Sequence, residues 1–200
     1  MKTLFALLMA AAGLAQAQNS DLALLGGLTG PTGQTSVSNG TTTASGSVSP
    51  SLQLNYAWQV RKSKTDLYVE GPLEIVMRES GSVTNGPGGT SVSGSAGPDL
   101  FFTPGVRVKF SPEARVSFYG AAGAGVASFT GAVFVSPSSV ESSTGRRNSY
   151  AIGFGGGIDF RLTRLLSLRG DVRDFITESG LGGATGRNHA IGQFGLAFHF

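Results

Sequence analysis

Residues 150–161 read YAIGFGGGIDFR, and large apolar side chains alternate along this stretch with glycine, alanine or a charged residue. A period of two residues is the mark of a β-strand whose two faces meet different surroundings. A helix is the competing interpretation, but the glycines and the strict alternation argue against it. The stretch therefore predicts a strand with one bulky apolar face. That face carries Tyr150, Ile152, Phe154, Ile158 and Phe160, and the opposite face carries Ala151, Gly153, Gly155, Gly157, Asp159 and Arg161.

The same alternation recurs along the chain, for example in SLQLNYAWQV (51–60) and DLFFTPGVRVKF (99–110). Pro72 and Pro104 fall inside the third and fourth such segments, where each removes a donor from the hydrogen-bond ladder. We therefore expect a bulge at one or the other. The pattern predicts eight strands, at roughly 20–28, 50–62, 65–77, 99–110, 115–129, 149–162, 165–176 and 189–200.

The connections between these segments come in two kinds. Four are long and rich in glycine, serine and threonine, at 29–49, 79–98, 136–148 and 177–188. They lack the apolar residues that would offset the entropy of ordering, so we expect mobile loops. The others are short turns near 62–64, 111–114 and 162–164. Strands of about ten residues joined alternately by long loops and tight turns are typical of an outer-membrane barrel.

The start of the chain has the three parts of a secretory signal peptide. Met1-Lys2-Thr3 is positively charged, the run from Leu4 to Leu14 is apolar, and Ala15-Gln16-Ala17 is a small-residue cleavage pattern. A membrane helix needs roughly 20 apolar residues, and this run is shorter. We therefore predict that residues 1–17 are removed on export and that 18–200 form one domain.

Composition narrows the classes of function. The chain has no cysteine, which excludes disulfides and cysteine-bearing zinc sites. Its 15 Lys and Arg face 12 Asp and Glu, and so small an excess is poor evidence for nucleic-acid binding. His189 and His199 lie at opposite ends of the last predicted strand, too far apart at about 3.3 Å per residue to share a metal. No glycine cluster has the spacing of a nucleotide-binding loop. We predict no metal, no cofactor and no catalytic residue.

Alternation alone does not say which face meets lipid. The bulky face is continuous and aromatic, whereas the other face mixes glycine and alanine with charges. A membrane barrel would turn the bulky face outward and pair every backbone group around a closed ring. A soluble periplasmic barrel that binds an apolar ligand would turn the same face inward, and it stays open as an alternative.

The last eight residues, QFGLAFHF (193–200), resemble the assembly signal of bacterial outer-membrane proteins. Gln193, Gly195, Phe198 and Phe200 occupy its polar, glycine and two aromatic places. The resemblance implies recognition by the barrel assembly machinery. The mature chain as a whole resembles the small barrels of the type found in the transmembrane part of outer-membrane protein A. It implies an all-β, eight-stranded, antiparallel up-and-down transmembrane β-barrel in the bacterial outer membrane, in contact with its lipid.

Charged residues on the inward face predict ion pairs in the lumen, because buried charges are tolerated only when paired. Asp159 is expected opposite Arg169 across a short turn, and Glu70 near Arg107. Asp171 and Arg173 lie further along the same face as Arg169.

An eight-stranded barrel is just wide enough for side chains to fill it, so these pairs are expected to close the lumen. The predicted function is therefore a non-enzymatic structural or surface-interaction role, carried out by a monomer. A narrow pore for small solutes or ions is the alternative. In the loops, Arg146 and Arg147 are the candidate contacts for lipopolysaccharide phosphates.

Overall fold

The computed structural model describes residues 20–30, 42–46, 48–77, 79–85, 91–96, 98–130, 132–136, 139–142, 146–179 and 185–200. The predicted signal peptide, residues 1–17, lies outside these ranges. Within them, no helix has the length and apolar character needed to cross a membrane.

Fourteen strands are formed by the described residues. They are β1 (Ser20–Thr29), β2 (Thr42–Gly46), β3 (Pro50–Arg61), β4 (Thr65–Val76), β5 (Glu79–Asn85), β6 (Ser91–Ala96), β7 (Asp99–Phe102), β8 (Gly105–Phe110), β9 (Val116–Phe129), β10 (Ala132–Ser136), β11 (Ser139–Ser142), β12 (Arg147–Arg161), β13 (Leu166–Ser179) and β14 (Thr185–His199).

Eight strand paths close into an antiparallel barrel. The ring runs from β1 through β3, β4, β7 with β8, β9, β12 and β13 to β14, which pairs again with β1. The eight predicted strands and the predicted fold class are confirmed. The short turns at 62–64, 111–115 and 162–165 lie at one end of the barrel. At this end Ser20 N donates to Phe200 O at 2.8 Å, which closes the ring.

The orientation of the two faces is that of a membrane barrel. On β3, Trp58 is 56% exposed whereas Gln53 is fully buried in the lumen, and the other strands repeat this alternation. Phe118 and Phe194 lie on the same outer surface, at 54% and 62% exposure. A continuous apolar exterior of this extent has hydrocarbon as its solvent. The soluble alternative, which needs the bulky face inside, is wrong.

The barrel wall is interrupted where the two prolines meet. Pro104 lies in the gap between β7 and β8, so the predicted fourth strand is split there. Pro72 has no partner on this side of β4. On the other side it pairs opposite Asn55 without a shift in register, and the bulge of β3 occurs at Gln59 instead. The pairings on both sides of Pro104 keep one register, so the predicted bulge is wrong at both prolines and the strand is only interrupted at Pro104. Pro72 is tolerated because the neighbouring strand is already broken.

The long connections contain strands that composition did not predict. The short strands β2, β5, β6, β10 and β11 form a separate five-stranded antiparallel sheet, in the order β11-β10-β6-β5-β2. The expectation of mobile loops is therefore wrong for these segments. Antiparallel neighbours satisfy one another's backbone groups without needing a large apolar core, and the threonines and valines in these segments favour extended backbone.

Candidate functional site

The lumen of the barrel holds most of the buried charge, and Asp21 on β1 joins two of its arginines. Asp21 is 1% exposed, and its Oδ2 accepts from Nη2 of Arg169 at 3.1 Å. The same oxygen accepts from Nη2 of Arg107 on the facing side of the barrel. One carboxylate from the first strand therefore joins two arginines from β8 and β13.

Asp159 on β12 bridges two cations in the same way. Its Oδ1 accepts from Arg169 Nε at 2.7 Å, and its Oδ2 accepts from Arg169 Nη2 at 2.9 Å and from Lys109 Nζ at 2.6 Å. Asp159 and Arg169 are register partners across the turn at 162–165. The fork geometry makes this contact a bidentate one, which is the strongest form of carboxylate–guanidinium pairing.

A second group of charges continues the network from Arg107 toward the middle of the barrel. Glu70 Oε2 lies 3.7 Å from Arg107 Nε, and Glu70 Oε1 lies 2.8 Å from Arg173 Nη1. Arg173 Nε also donates to Asp171 at 3.1 Å, and the Tyr119 hydroxyl donates to Asp171 at 2.5 Å. Each of these carboxylates thus has a cation within 4 Å, as buried carboxylates require.

We call this set the central ion-pair network, and its formal charge is balanced. Four cations face four carboxylates within it. Its members are Arg107, Lys109, Arg169, Arg173, Asp21, Glu70, Asp159 and Asp171.

Aromatic rings pack against the arginines of the network. The Arg107 guanidinium lies 4.7 Å from the centre of the Tyr68 ring and 5.3 Å from that of Tyr119, and Arg169 lies 5.1 Å from Tyr119. Stacked contacts of this kind stabilise a desolvated guanidinium. A glycine makes room for the Tyr119 ring, because a Cβ at Gly157 would come within 2.6 Å of it.

At the end of the lumen nearer the long connections, the filling changes from charged to apolar. Phe101 and Phe175 stack at 4.9 Å between ring centres, and His189 lies 5.2 Å from Phe101 and 5.8 Å from Phe129. We call these four residues the aromatic plug. Large apolar side chains were expected only on the outer face, and that expectation is wrong here. At this level Gly153 leaves the space that the Phe175 ring fills.

Between the network and the plug, Glu74 on β4 is held by two amides. Its carboxylate accepts from Gln53 Nε2 at 3.1 Å and from Gln193 Nε2 at 2.7 and 2.8 Å. Glu74 and Gln53 are fully buried register partners, and Gln193 comes from the last strand. The three strands β3, β4 and β14 therefore meet inside the barrel at this carboxylate.

A polar cavity of about 290 Å³ opens at the end with the short turns, between the turns and the ion-pair network. On its wall, His199 Nε2 lies 2.8 Å from Ser167 Oγ, and His199 Nδ1 lies 4.0 Å from Asp21 Oδ2. The order of these groups is that of a nucleophile, a base and an orienting acid. However, Ser167 is 1% exposed and Asp21 is already bound by two arginines. Among the described residues, no group of three metal-ligating side chains occurs.

The lipid-facing surface carries one unexpected carboxylate. Asp174 follows the outward parity of β13, between Val172 and Ile176, and its register partners are Phe154 and Ala190. Its Oδ1 is buried without a hydrogen-bond partner. Of the described outward positions between the two rims of the barrel, no other bears a carboxylate, a lysine, an arginine or a histidine.

The structure brings together some of the predicted site residues and separates others. The six predicted lumen charges all lie in the central ion-pair network. In the proposed assembly signal, Gln193 points into the lumen, and Phe198 lies on the outer surface near the closing end of the barrel. Arg146 and Arg147 are exposed at the opposite end.

The predicted lumen interactions left out Asp21, Lys109, Tyr119 and Glu74, although the alternation sets Lys109 and Glu74 on the inward face. Asp21 shares the parity of Ala23 and Leu25 on β1, so its inward orientation was available from the alternation. Its partners were not available, since they come from strands far away in the chain.

Comparison with known proteins agrees with this geometry. The family model described as outer membrane protein beta-barrel domain matches residues 3–200. No curated protein matches the chain by sequence.

Several solved structures share the fold at low sequence identity. OprG of Pseudomonas aeruginosa is 14% identical, with 92% of this chain and 97% of that chain covered and a TM-score of 0.53. Ail of Yersinia pestis, in complex with the heparin analogue sucrose octasulfate, is 15% identical, with 91% and 99% covered and a TM-score of 0.51. Neisserial surface protein A is 13% identical, with 90% and 96% covered and a TM-score of 0.50.

Proposed function

The chain belongs to the outer membrane protein beta-barrel domain family, whose place is the bacterial outer membrane, and we propose that it acts there as a closed, non-enzymatic barrel. In this proposal the lumen holds the barrel together, and the surface outside the membrane meets ligands. The observation that carries it is the filling of the lumen by two successive barriers, the central ion-pair network and the aromatic plug.

The first barrier supports a closed lumen because its members span the cross-section. Arg107 and Arg169 are fully buried, and their partners come from β1, β4 and β12. An ion crossing this level would have to separate buried carboxylates from the guanidinium groups that they bind. Breaking a buried pair of this kind costs about 3–5 kcal/mol.

The second barrier, the aromatic plug, supports a closed lumen independently, because its side chains are mostly apolar. The stacked rings of Phe101 and Phe175 and the contact of both Phe101 and Phe129 with His189 fill this level with side chains. Hydrophobic constrictions exclude ions by dewetting. The pore alternative would therefore require both barriers to open.

A non-enzymatic role is supported by the geometry of Ser167, His199 and Asp21. These described residues resemble a catalytic arrangement but do not meet its requirements. Ser167 is buried, and Asp21 is 4.0 Å from His199 while it binds two arginines. A nucleophile must be reachable by substrate and its base must be oriented by the acid, and neither condition is met.

A surface-interaction role rests on the basic residues at the end with the long connections. Arg146 and Arg147 are exposed and adjacent, and guanidinium groups bind phosphate and sulfate oxygens in a bidentate manner. The Ail structure contains a sulfated heparin analogue. We propose that the two arginines contact a polyanion, either lipopolysaccharide phosphates or a sulfated polysaccharide.

Two further parts of the function remain proposals. Residues 1–17 act as the export signal, and Gln193, Gly195, Phe198 and Phe200 act as the signal for the barrel assembly machinery. Strand parity supports the latter, because it sets Phe198 and Phe200 on the lipid-facing side, where a membrane-embedded machinery can reach them.

Planar-bilayer recording tests the closed lumen. The wild-type barrel is expected to give no discrete conductance steps. A variant with Phe101→Ala and Phe175→Ala is expected to stay closed, because the ion-pair network remains. Adding Arg107→Ala and Arg169→Ala should produce steps if that variant still folds. Discrete steps from the wild type that vanish on denaturation would establish the pore instead.

Binding of heparin to the barrel in vesicles tests the surface role. Replacing both Arg146 and Arg147 with alanine is expected to weaken binding and to flatten its dependence on salt. The matched control replaces Lys62 and Arg164, which lie at the opposite end, and should leave binding unchanged. Equal loss in both variants would show that binding follows net charge alone.

A further inference from the structure

Glu74 is the acid in the middle of the lumen that lacks a cation. The four carboxylates of the central ion-pair network each have an Arg or Lys nitrogen within 4.0 Å. Among the described residues no Lys, Arg or His nitrogen lies that close to Glu74, although its side chain is fully buried. Because the network is already neutral, it offers Glu74 no spare positive charge.

The groups around Glu74 are rich in oxygen. Gln53 and Gln193 each direct an amide toward the carboxylate, and Gln193 Nε2 also lies 3.2 Å from Ser51 Oγ. The carbonyl oxygens Gln53 Oε1 and Gln193 Oε1 are buried without a hydrogen-bond partner. Two buried acceptors are therefore unsatisfied on the side chains that surround a buried carboxylate with no cation within 4.0 Å, which makes the orientation of both amides the question.

The two amides are able to serve either as donors or as ligands. The nitrogen and oxygen of a side-chain amide have nearly the same shape, and a half-turn of the terminal group exchanges them. After that half-turn, the carbonyl oxygens would stand where the nitrogens stand, 3.1 Å and 2.7 Å from the Glu74 oxygens. Oxygens about 3 Å apart are adjacent ligands around an ion that binds each at about 2.4 Å, the distance taken by Ca²⁺ and the similarly sized Na⁺.

We propose that Glu74, Gln53, Gln193 and Ser51 bind one monovalent metal cation of the size of Na⁺ inside the barrel. A single carboxylate balances a single positive charge, whereas a divalent ion would leave an excess of positive charge beside Glu74. Hard cations take carboxylate, amide and hydroxyl oxygens as ligands, which are the groups present. The bound ion neutralises Glu74 and pins β3, β4 and β14 to one another at the level between the two barriers.

This site is enclosed on both sides, so the cation enters as the barrel closes. Binding then contributes directly to the folding equilibrium, because the unfolded chain does not hold the ligands together. We therefore expect the stability of the folded barrel to depend on which cation is present and not only on the ionic strength.

The test compares unfolding of the full-length mature barrel in detergent in NaCl and in choline chloride at the same ionic strength. The wild type is expected to unfold at a higher denaturant concentration in NaCl, with a midpoint that rises with the Na⁺ concentration. Glu74→Gln keeps the shape and removes the charge, so the difference between the two salts should be lost. The control Glu113→Gln removes an exposed carboxylate, 3.8 Å from Lys62, and should keep the difference.

Thallium(I) supplies a second measurement that does not depend on any variant folding. Crystals of the wild type grown with Tl⁺ in place of Na⁺ are expected to show anomalous scattering between Glu74 and the two glutamine side chains. The proposal is overturned if no such peak appears there. It is also overturned if the wild type unfolds identically in the two salts. Equal midpoints together with a more stable Glu74→Gln variant would show that a proton neutralises the acid.

Discussion

Replacing Arg169 with methionine tests how much the central ion-pair network contributes to stability. The side chain is fully buried and holds both Asp159, at 2.7 and 2.9 Å, and Asp21, at 3.1 Å. Methionine fills much of the same volume but leaves the two carboxylates with one cation each. Removing one partner of a buried pair costs about 3–5 kcal/mol, which corresponds to a change of about 10²- to 10⁴-fold in the folding equilibrium.

The matched control is Lys62→Met at the turn end of the barrel. Lys62 Nζ lies 3.8 Å from Glu113, and the two side chains are 68% and 79% exposed. An exposed pair of this kind contributes between 0 and about 1 kcal/mol. Both variants lose one positive charge, so any difference between them reports burial and not net charge.

Urea unfolding in lipid vesicles, followed by the fluorescence of Trp58 and by heat-modifiable migration on gels, measures the two losses. Adding Asp159→Asn to Arg169→Met removes one of the stranded charges. The double variant should therefore be less destabilised than the sum of its single variants, with a coupling of about 0.5–3 kcal/mol. If Arg169→Met loses no more stability than Lys62→Met, the network does not stabilise the barrel in the way described.

Three other substitutions probe the wall and the end of the chain. Asp174→Leu removes the carboxylate of the lipid-facing surface and is expected to raise the free energy of unfolding by about 1 kcal/mol in the same assay, since acids on that surface are unfavourable; lower stability would indicate that the carboxylate has a partner. Gly157→Val places a side chain within 2.6 Å of the Tyr119 ring and should destabilise by about 1–3 kcal/mol, whereas valine at Gly170, where a Cβ meets nothing within 4 Å, should be tolerated. Phe200→Ala should reduce the amount of assembled, heat-modifiable barrel in cells while leaving refolding in detergent unchanged, and normal assembly in cells would argue against the proposed assembly signal.

The central ion-pair network and the aromatic plug would have to rearrange in different ways for the lumen to open. The ion-pair network can exchange partners, because each arginine touches more than one carboxylate. The aromatic plug has no such alternative, since its rings pack against one another and against the strands. A conductance variant is therefore expected only when both are removed, which is why the bilayer experiment changes them in two steps.

Much of the architecture was predictable because the side-chain period of a strand is two residues. A slip by one residue would move every apolar side chain to the opposite face, so parity alone sets Phe154 and Phe194 on one face of the sheet and Gln53 and Asp159 on the other. The same parity places Asp174 outside, although its chemistry suggests otherwise. The missing donor of a proline indicated an irregularity in the strand, but the break at Pro104 without a register shift and the continuity at Pro72 depended on the neighbouring strands.

Contacts within one hairpin could be predicted from the sequence, because a short turn fixes the register between the two strands that it joins. The turn at 162–165 sets Asp159 opposite Arg169, as the spacing predicts. The separate five-stranded sheet formed by the long connections could not be predicted from the sequence, since glycine- and serine-rich segments form strands there only by pairing with one another.

By itself, then, the amino-acid order determined where strands run, which side chains share a face of each strand, and that acids and arginines lie on the face opposite the bulky apolar residues. The tertiary structure decided that the bulky face is the outer one. Only closure of the ring decided which of the acids and arginines touch. Asp21 meets Arg107 and Arg169 across 86 and 148 positions of the chain, and Tyr119 meets Asp171 across 52. Such partners depend on the stagger and radius of the closed barrel. These two properties arise from all eight strands together, and the sequence of a single strand does not determine them.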